Sequence, residues 1–335
     1  MSLQFLLSPW LPSHCEPITA LAAVFGLMLG SFLNVVGLRL LCQQSVVFPG
    51  SHCPNCEKPL QCWENIPLIS YLLLRGKCSG CRAGIHWQYP AIELLSGALF
   101  ALLVWQWGVS LSTVLLGYLL SNLVVVLITD CRQSLIYHMN TLPLIPSGLL
   151  FASLNSLIAY STFPGHGFID ALLGIALAAA IFEGLILLTR LMVGSDGFGH
   201  GDTLLMMGVG AFFGWKFTLA AIFLGFVLQS LAALPLMITS WIQARRYLLM
   251  ASGLAALTFA ALPLLLPILS LPNSLTVSLG CCVLSLLMLV VFMREIRQAA
   301  CYTSLPLGPA LVAATLVLVF GRFALMKWLP QLALL

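Results

Sequence analysis

The sequence predicts an all-α polytopic membrane protein of about eight to ten transmembrane helices, carrying one small, zinc-ribbon-like cytoplasmic segment. Three observations carry that expectation. Of 335 residues, 61% are hydrophobic and 7% charged, with a mean hydropathy of +1.06. A soluble domain has roughly a quarter charged residues, so this chain cannot cover a water-facing surface. Its apolar stretches recur at the length of about 20 residues that a bilayer core demands. Its one long polar stretch holds two Cys-x-x-Cys pairs. The net charge of +4 is too small to argue for nucleic acid as a partner.

Taken in order, residues 1–17 lack the basic start of a cleaved signal, and the apolar run 18–41 is long enough to span as the first helix. The polar segment 42–89 follows. A second span is expected over 90–107 and a third over 111–129, ending at Asp130-Cys131-Arg132-Gln133. Spans four and five fall at 141–160 and 168–193. After the loop from Gly194 to Gly201, a short span six (203–213) turns at Gly214-Trp215-Lys216 into span seven (217–242). Spans eight (247–269) and nine (274–293) read as an extra helix pair, and span ten covers 305–324. The expected units are therefore 1–41, the cysteine segment 42–89, a core at 90–244, the extra pair at 245–300 and a last helix at 301–335.

Eleven cysteines, an odd number, several of them in apolar runs, argue against a disulfide framework and for a reducing compartment. Cys53-Pro-Asn-Cys56 and Cys78-Ser-Gly-Cys81 have the spacing of two knuckles that aim four thiolates at one tetrahedral zinc. So small a loop has little apolar core, and a metal staple would supply the missing stability. A closed four-sulfur site leaves no position for substrate, so the zinc reads as structural. A redox dithiol is the alternative.

With the N-terminus outside, eleven of the fourteen basic residues lie at cytoplasmic ends, and only Lys216, Arg322 and Lys327 fall outside. This places the cysteine segment in the cytoplasm. It also places Asp130 and Asp202, two of only four aspartates, on the same face at similar depth. Ionisable groups at the ends of spanning helices are expensive to keep and point to function. Two carboxylates a few ångström apart share a proton: one can polarise a carbonyl while the other activates water. Gly199 and Gly201, flanking Asp202, permit unusual backbone angles and a close substrate backbone. The plainer readings are that Asp202 caps span six and that Asp130 pairs with Arg132. Glu93 is expected to complement the start of its own helix, Glu183 to be protonated or hydrogen-bonded within the bundle with a functional role as the alternative, and Gly30-Ser-Phe-Leu-Asn-Val-Val to let helices pack closely.

Several stretches together resemble the prepilin peptidase family, bacterial membrane aspartic proteases. They are Gly30-Ser-Phe-Leu-Asn-Val-Val, Cys53-Pro-Asn-Cys56, the long run from Asn65-Ile-Pro-Leu-Ile-Ser-Tyr to Arg-Gly-Lys-Cys78, and Tyr89-Pro-Ala-Ile-Glu93. The turn Gly199-His-Gly-Asp202, Gly210-Ala-Phe-Phe-Gly-Trp215 and Pro306-Leu-Gly-Pro309 complete the series. The resemblance implies that Asp130 and Asp202 are the catalytic pair. It implies cleavage of type IV prepilin or type II secretion pseudopilin leaders at the cytoplasmic face of a bacterial inner membrane. N-methylation of the new N-terminus with S-adenosylmethionine is implied as a second activity, with no residues assigned to that cofactor. Membrane lipid is the other expected partner. Where the family has Ile-Pro-Asp after its first acid, this chain reads Ile136-Tyr137-His138, and Leu204 stands where a lysine is common. Two other function classes fit parts of the pattern. A proton-coupled transporter would use the same acids, but near the midplane and in repeated halves. A degenerate homologue would serve as an assembly partner.

Overall fold

The computed structural model describes residues 16–157, 167–194, 198–243 and 306–328, with scattered positions between 245 and 288. Among the described residues the regular structure is helical, with two isolated β-bridges. The helices are α1 (Glu16–Leu41), α2 (Ile69–Leu73), α3 (Gln88–Trp107), α4 (Leu111–Gln133), α5 (His138–Thr141), α6 (Leu144–Leu157), α7 (Phe168–Val193), α8 (His200–Gln243) and α9 (Gly308–Trp328). Five are long and apolar enough to cross a membrane: Pro17–Leu41, Gln88–Trp107, Leu111–Gln133, Phe168–Leu191 and His200–Pro235. The protein is an all-α polytopic membrane protein. The expected spans eight and nine lie mostly outside the described residues. The chain falls into two compact units, one of Met1–Phe226 with Pro306–Leu335 and one of Val227–Leu305.

Local signals set the helix ends. Gly108, at φ 65°, stops α3 and three residues suffice to turn back. Ser110 then caps α4, its Oγ accepting from the Thr113 N–H at 3.1 Å. Ser134 closes α4 in the left-handed conformation, and its N–H returns to the Asp130 carbonyl at 2.8 Å. Gly194, at φ 82°, ends α7 in the same way.

The first unit is built around α4, whose Leu119, Leu123 and Val126 are each 1% exposed. It packs against α1, α3, α6 and α9. Small residues let the backbones meet. A Cβ on Gly30 of α1 would lie 2.8 Å from Ser96 of α3, and one on Gly174 of α7 would lie 2.6 Å from the Gly210 carbonyl of α8. Gly30 thus has the close-packing role its sequence suggested.

Helix α8 is not one rod. Gly214 adopts φ 77° and ψ 178°, far from helical. The Phe226 ring sits 6.0 Å from the Phe198 ring, whereas 28 residues of straight helix would separate them by about 42 Å. The chain therefore folds back at Gly214, as the sequence predicted. The first arm, 200–213, is about 21 Å long, too short to span a bilayer core alone.

The contrast between two helical glycines tests this packing. Gly210→Ala places a methyl 2.6 Å from the Gly174 backbone and should cost about 1–3 kcal/mol by overpacking. Gly184→Ala meets nothing within 4 Å and should be neutral or stabilising by up to about 1 kcal/mol. Thermal unfolding of the two detergent-purified variants measures the difference.

Candidate active site and metal centre

Asp130 lies in the last turn of α4 and is 4% exposed. Its Oδ2 accepts from the backbone N–H of Gly308 at 2.8 Å, the first residue of α9. A Cβ on Gly308 would come 2.5 Å from that oxygen, so glycine is what allows the approach. Asp202 is 8% exposed and is the third residue of α8, so it does not cap the helix. Its own N–H bonds to the Gly199 carbonyl at 3.1 Å, and the Gly199 N–H lies against its carboxylate. Its Oδ1 is buried with no hydrogen-bond partner. Asp130 is close enough to act electrostatically on it.

Ile136, on the link after α4, wedges these pieces together. Its side chain lies 2.6 Å from where a Cβ on Gly201 would sit and 3.2 Å from the same point on Gly308. Gly201 is therefore required by packing, whereas a Cβ on Gly199 would meet Asp202 Oδ2 at an ordinary contact distance of 3.7 Å. The structure brings together the two predicted acids and both predicted glycines. It adds Gly308 and Ile136, which sequence reading did not assign. The stretch Pro306-Leu-Gly-Pro309 was visible as a motif, but a backbone donor has no side chain to announce its partner.

The other polar expectations divide. Arg132 does not pair with Asp130; it donates to Gln88 Oε1 at 2.8 and 2.6 Å. Glu93 does not serve its own helix start, because α3 begins at Gln88 and places Glu93 in the second turn. Its Oε2 instead accepts from the Leu68 N–H at 2.8 Å. Glu183 is half-exposed on α7 rather than enclosed in the bundle, and it pairs with His200 Nδ1 at 3.1 Å and accepts from Thr203 Oγ1 at 3.3 Å. That cluster grips α8 on either side of Asp202.

The four predicted metal ligands converge, with all Sγ atoms of Cys53, Cys56, Cys78 and Cys81 within 4.8 Å of one another. A tetrahedral zinc with bonds of about 2.3 Å sets its sulfurs about 3.8 Å apart. The pairs Cys53–Cys81 and Cys56–Cys78 are each 3.9 Å, so the donor set fits zinc. The two knuckles repeat one design. The N–H of Cys53 bonds to the Lys58 carbonyl and that of Cys78 to the Ala83 carbonyl, while Glu57 and Arg82 occupy matching left-handed positions. The Asn55 amide, then the Ala83 N–H, draw the Cys81 thiol down to about 6, favouring the thiolate a metal needs. Between the knuckles the buried Glu64 accepts from the Ser79 hydroxyl and from the Gln61 N–H at 2.8 Å, and Lys58 lies 3.4 Å away. These contacts hold its carboxyl below the usual range, Ser79 most of all.

Comparison with known proteins places the chain. The domain described as "Bacterial Peptidase A24 N-terminal domain" matches residues 24–107, and the "Type IV leader peptidase family" matches 117–234. A prepilin leader peptidase/N-methyltransferase of Neisseria gonorrhoeae is 36% identical over 243 residues, covering 64% of this chain and 80% of that protein. The chain belongs to the type IV leader peptidase family. Proteins of the same name from Stutzerimonas stutzeri and Pseudomonas aeruginosa are 34% and 31% identical, over 58% and 62% of this chain and 73% and 77% of theirs. No solved structure matches significantly. The leader peptidase match contains Asp130 and Asp202, and the N-terminal match contains all four clustered cysteines.

Purified protein should hold about one zinc per chain. Cys53→Ser with Cys81→Ser should empty the site and expose residues 42–89 to protease, as metal analysis and limited proteolysis will read. Metal-free protein with a protease-resistant segment would contradict the assignment.

Proposed function

We propose that this leader peptidase family member is a membrane aspartic endopeptidase in which Asp130 and Asp202 form the catalytic pair. Its substrates on this reading are type IV prepilins or type II secretion pseudopilins. The observation that carries the reading is the approach of two buried carboxylates from separate helices at one end of the bundle, with Asp202 Oδ1 left unpartnered.

Two neighbouring carboxylates in so dry a setting hold one shared proton more readily than two charges. Water between them can lose a proton to the ionised member as it attacks the peptide carbonyl, while the protonated member donates to the carbonyl oxygen. The tetrahedral intermediate then collapses as a proton passes to the leaving amine. Gly308 fixes one oxygen of Asp130 through its N–H, which leaves the other oxygen for water. Gly199 is exposed and carries no side chain, which lets an extended substrate backbone approach Asp202.

The basic residues argue for the orientation. Arg39, Lys58, Arg75, Lys77, Arg82 and Arg132 cluster at the end that holds the acids, which on the positive-inside rule is cytoplasmic. The acids sit at helix ends rather than at the midplane expected of a transporter site. The relatives' shared name also carries N-methyltransferase. We extend that activity to this chain, with the freed amine as methyl acceptor and S-adenosylmethionine as donor, on the relatives alone. No set of described residues is matched to that cofactor.

Asp130→Asn and Asp202→Asn should each lower prepilin processing at least about a hundredfold while the protein remains in the membrane at wild-type level. Gly308→Ala should fall between them and the wild type. Cleavage of a candidate prepilin in membranes, followed by the shift in its gel mobility, reads all three. Normal processing by either asparagine variant would sink the pair.

A further inference from the structure

Helix α2 sits inside the cysteine segment, yet its surroundings are not those of a water-facing helix. Ile66, Ile69, Leu72 and Leu73 are 42%, 54%, 72% and 70% exposed. Four exposed large aliphatic side chains within eight residues make an apolar face that water would penalise. Exposed Trp63 precedes it in the chain, exposed Arg75, Lys77 and Arg82 follow it, and exposed Trp87 leads into α3.

The depth of this face can be read from helix registers. Gly30 of α1 lies against Glu93 and Ser96 of α3, and Gly37 of α1 lies against Ile128 of α4. The short turn 108–110 makes α3 and α4 antiparallel, and the contacts of Gly26 and Gly30 with Gly97 and Glu93 make α1 antiparallel to α3. Helices α1 and α4 are then parallel, and Asp130 lies near the level of Arg39. Glu93 lies nine residues deeper, about 13 Å further from the end of α1. That exceeds the reach of a glutamate side chain. The Glu93 carboxylate holds the Leu68 N–H at 2.8 Å, with the Ser31 hydroxyl on the same carboxylate. Leu68 pays for the bond with a positive φ of 60°. The start of α2 is therefore tied below the level of Asp130, alongside residues that span the membrane.

We propose that residues 66–74 form a membrane-embedded elbow, with Ile66, Ile69, Leu72 and Leu73 against lipid acyl chains. Trp63, Trp87, Arg75, Lys77 and Arg82 lie at the level of anionic headgroups. The combination of apolar face, aromatic flank and basic rim is that of an interfacial segment. The cysteine segment is thus anchored on the bilayer between the ends of α1 and α3, independently of what the acids do.

The test uses the full chain in phosphatidylcholine–phosphatidylglycerol vesicles, with the photoreactive residue benzoylphenylalanine replacing Ile69 or Leu72. Phe25 on exposed α1 is the lipid-facing control, and Gly84, with open space around it, is the water-facing one. Lipid adducts at 69 and 72 in yield comparable to position 25, and lost at 84, are expected. Adducts at 25 alone, or cross-links from 69 and 72 to another protein chain, overturn the proposal. A hydrophobic diazirine dissolved in the bilayer checks the unaltered chain. It should label the peptide 66–74, and labelling confined to the long helices overturns the proposal without any substitution.

Discussion

A hydrogen bond from the Gly308 backbone N–H to the Asp130 carboxylate ties the start of α9 to the end of α4 across 178 residues of sequence. The rest of the first unit is arranged so that this bond can form. Asp130 must end a helix that is buried on nearly every side, and α4 is that helix. The start of α9 must come within contact of it, which only a glycine permits. A charge-assisted bond of this kind is worth more than an ordinary one in a water-poor setting, and it costs most when its donor is lost.

Keeping two carboxylates in such a place is expensive, and the expense explains the glycines. Where Gly174 and Gly210 touch, where Gly201 meets Ile136, and where Gly26 and Gly97 sit between α1 and α3, a Cβ would force the backbones apart. Close packing at these points is what fixes the helix ends, since lipid offers no hydrophobic drive for helices to associate. The fold-back at Gly214 belongs to the same economy of space. It returns the chain so that Phe226 stacks on Phe182 and meets Phe198, next to Gly199, edge-on.

Much of this was legible in the sequence, for identifiable reasons. Two Cys-x-x-Cys pairs constrain four atoms by spacing alone, and Gly214 announces a break because glycine tolerates what other residues do not. Asp130 and Asp202 stood out because aspartate is rare in so apolar a chain. What was not legible follows from physics as well. The Gly308 donor belongs to the backbone, and Ile136 is one isoleucine among many. Glu93 was read against its own helix because sequence placed the helix start near residue 90. Two residues' difference moved it into the second turn, where its partner is the Leu68 N–H.

The polar ties between the cysteine segment and the helices bear on how the acids are held. Arg39 of α1 donates to the carbonyls of Ser45, Val46, Pro49 and Gly50, folding the chain as it leaves the helix. Arg132, two residues past Asp130, grips Gln88 at the start of α3, and Glu93 grips Leu68. The ties of Arg39 and Arg132 lie at the end of the bundle where Asp130 sits, and that of Glu93 holds the start of α2 deeper along α3. A segment too small for a core of its own gains shape from its four thiolates and position from these three side chains. The knuckles are thus fastened to α1 and α3, the two helices that pack against α4 and its terminal Asp130.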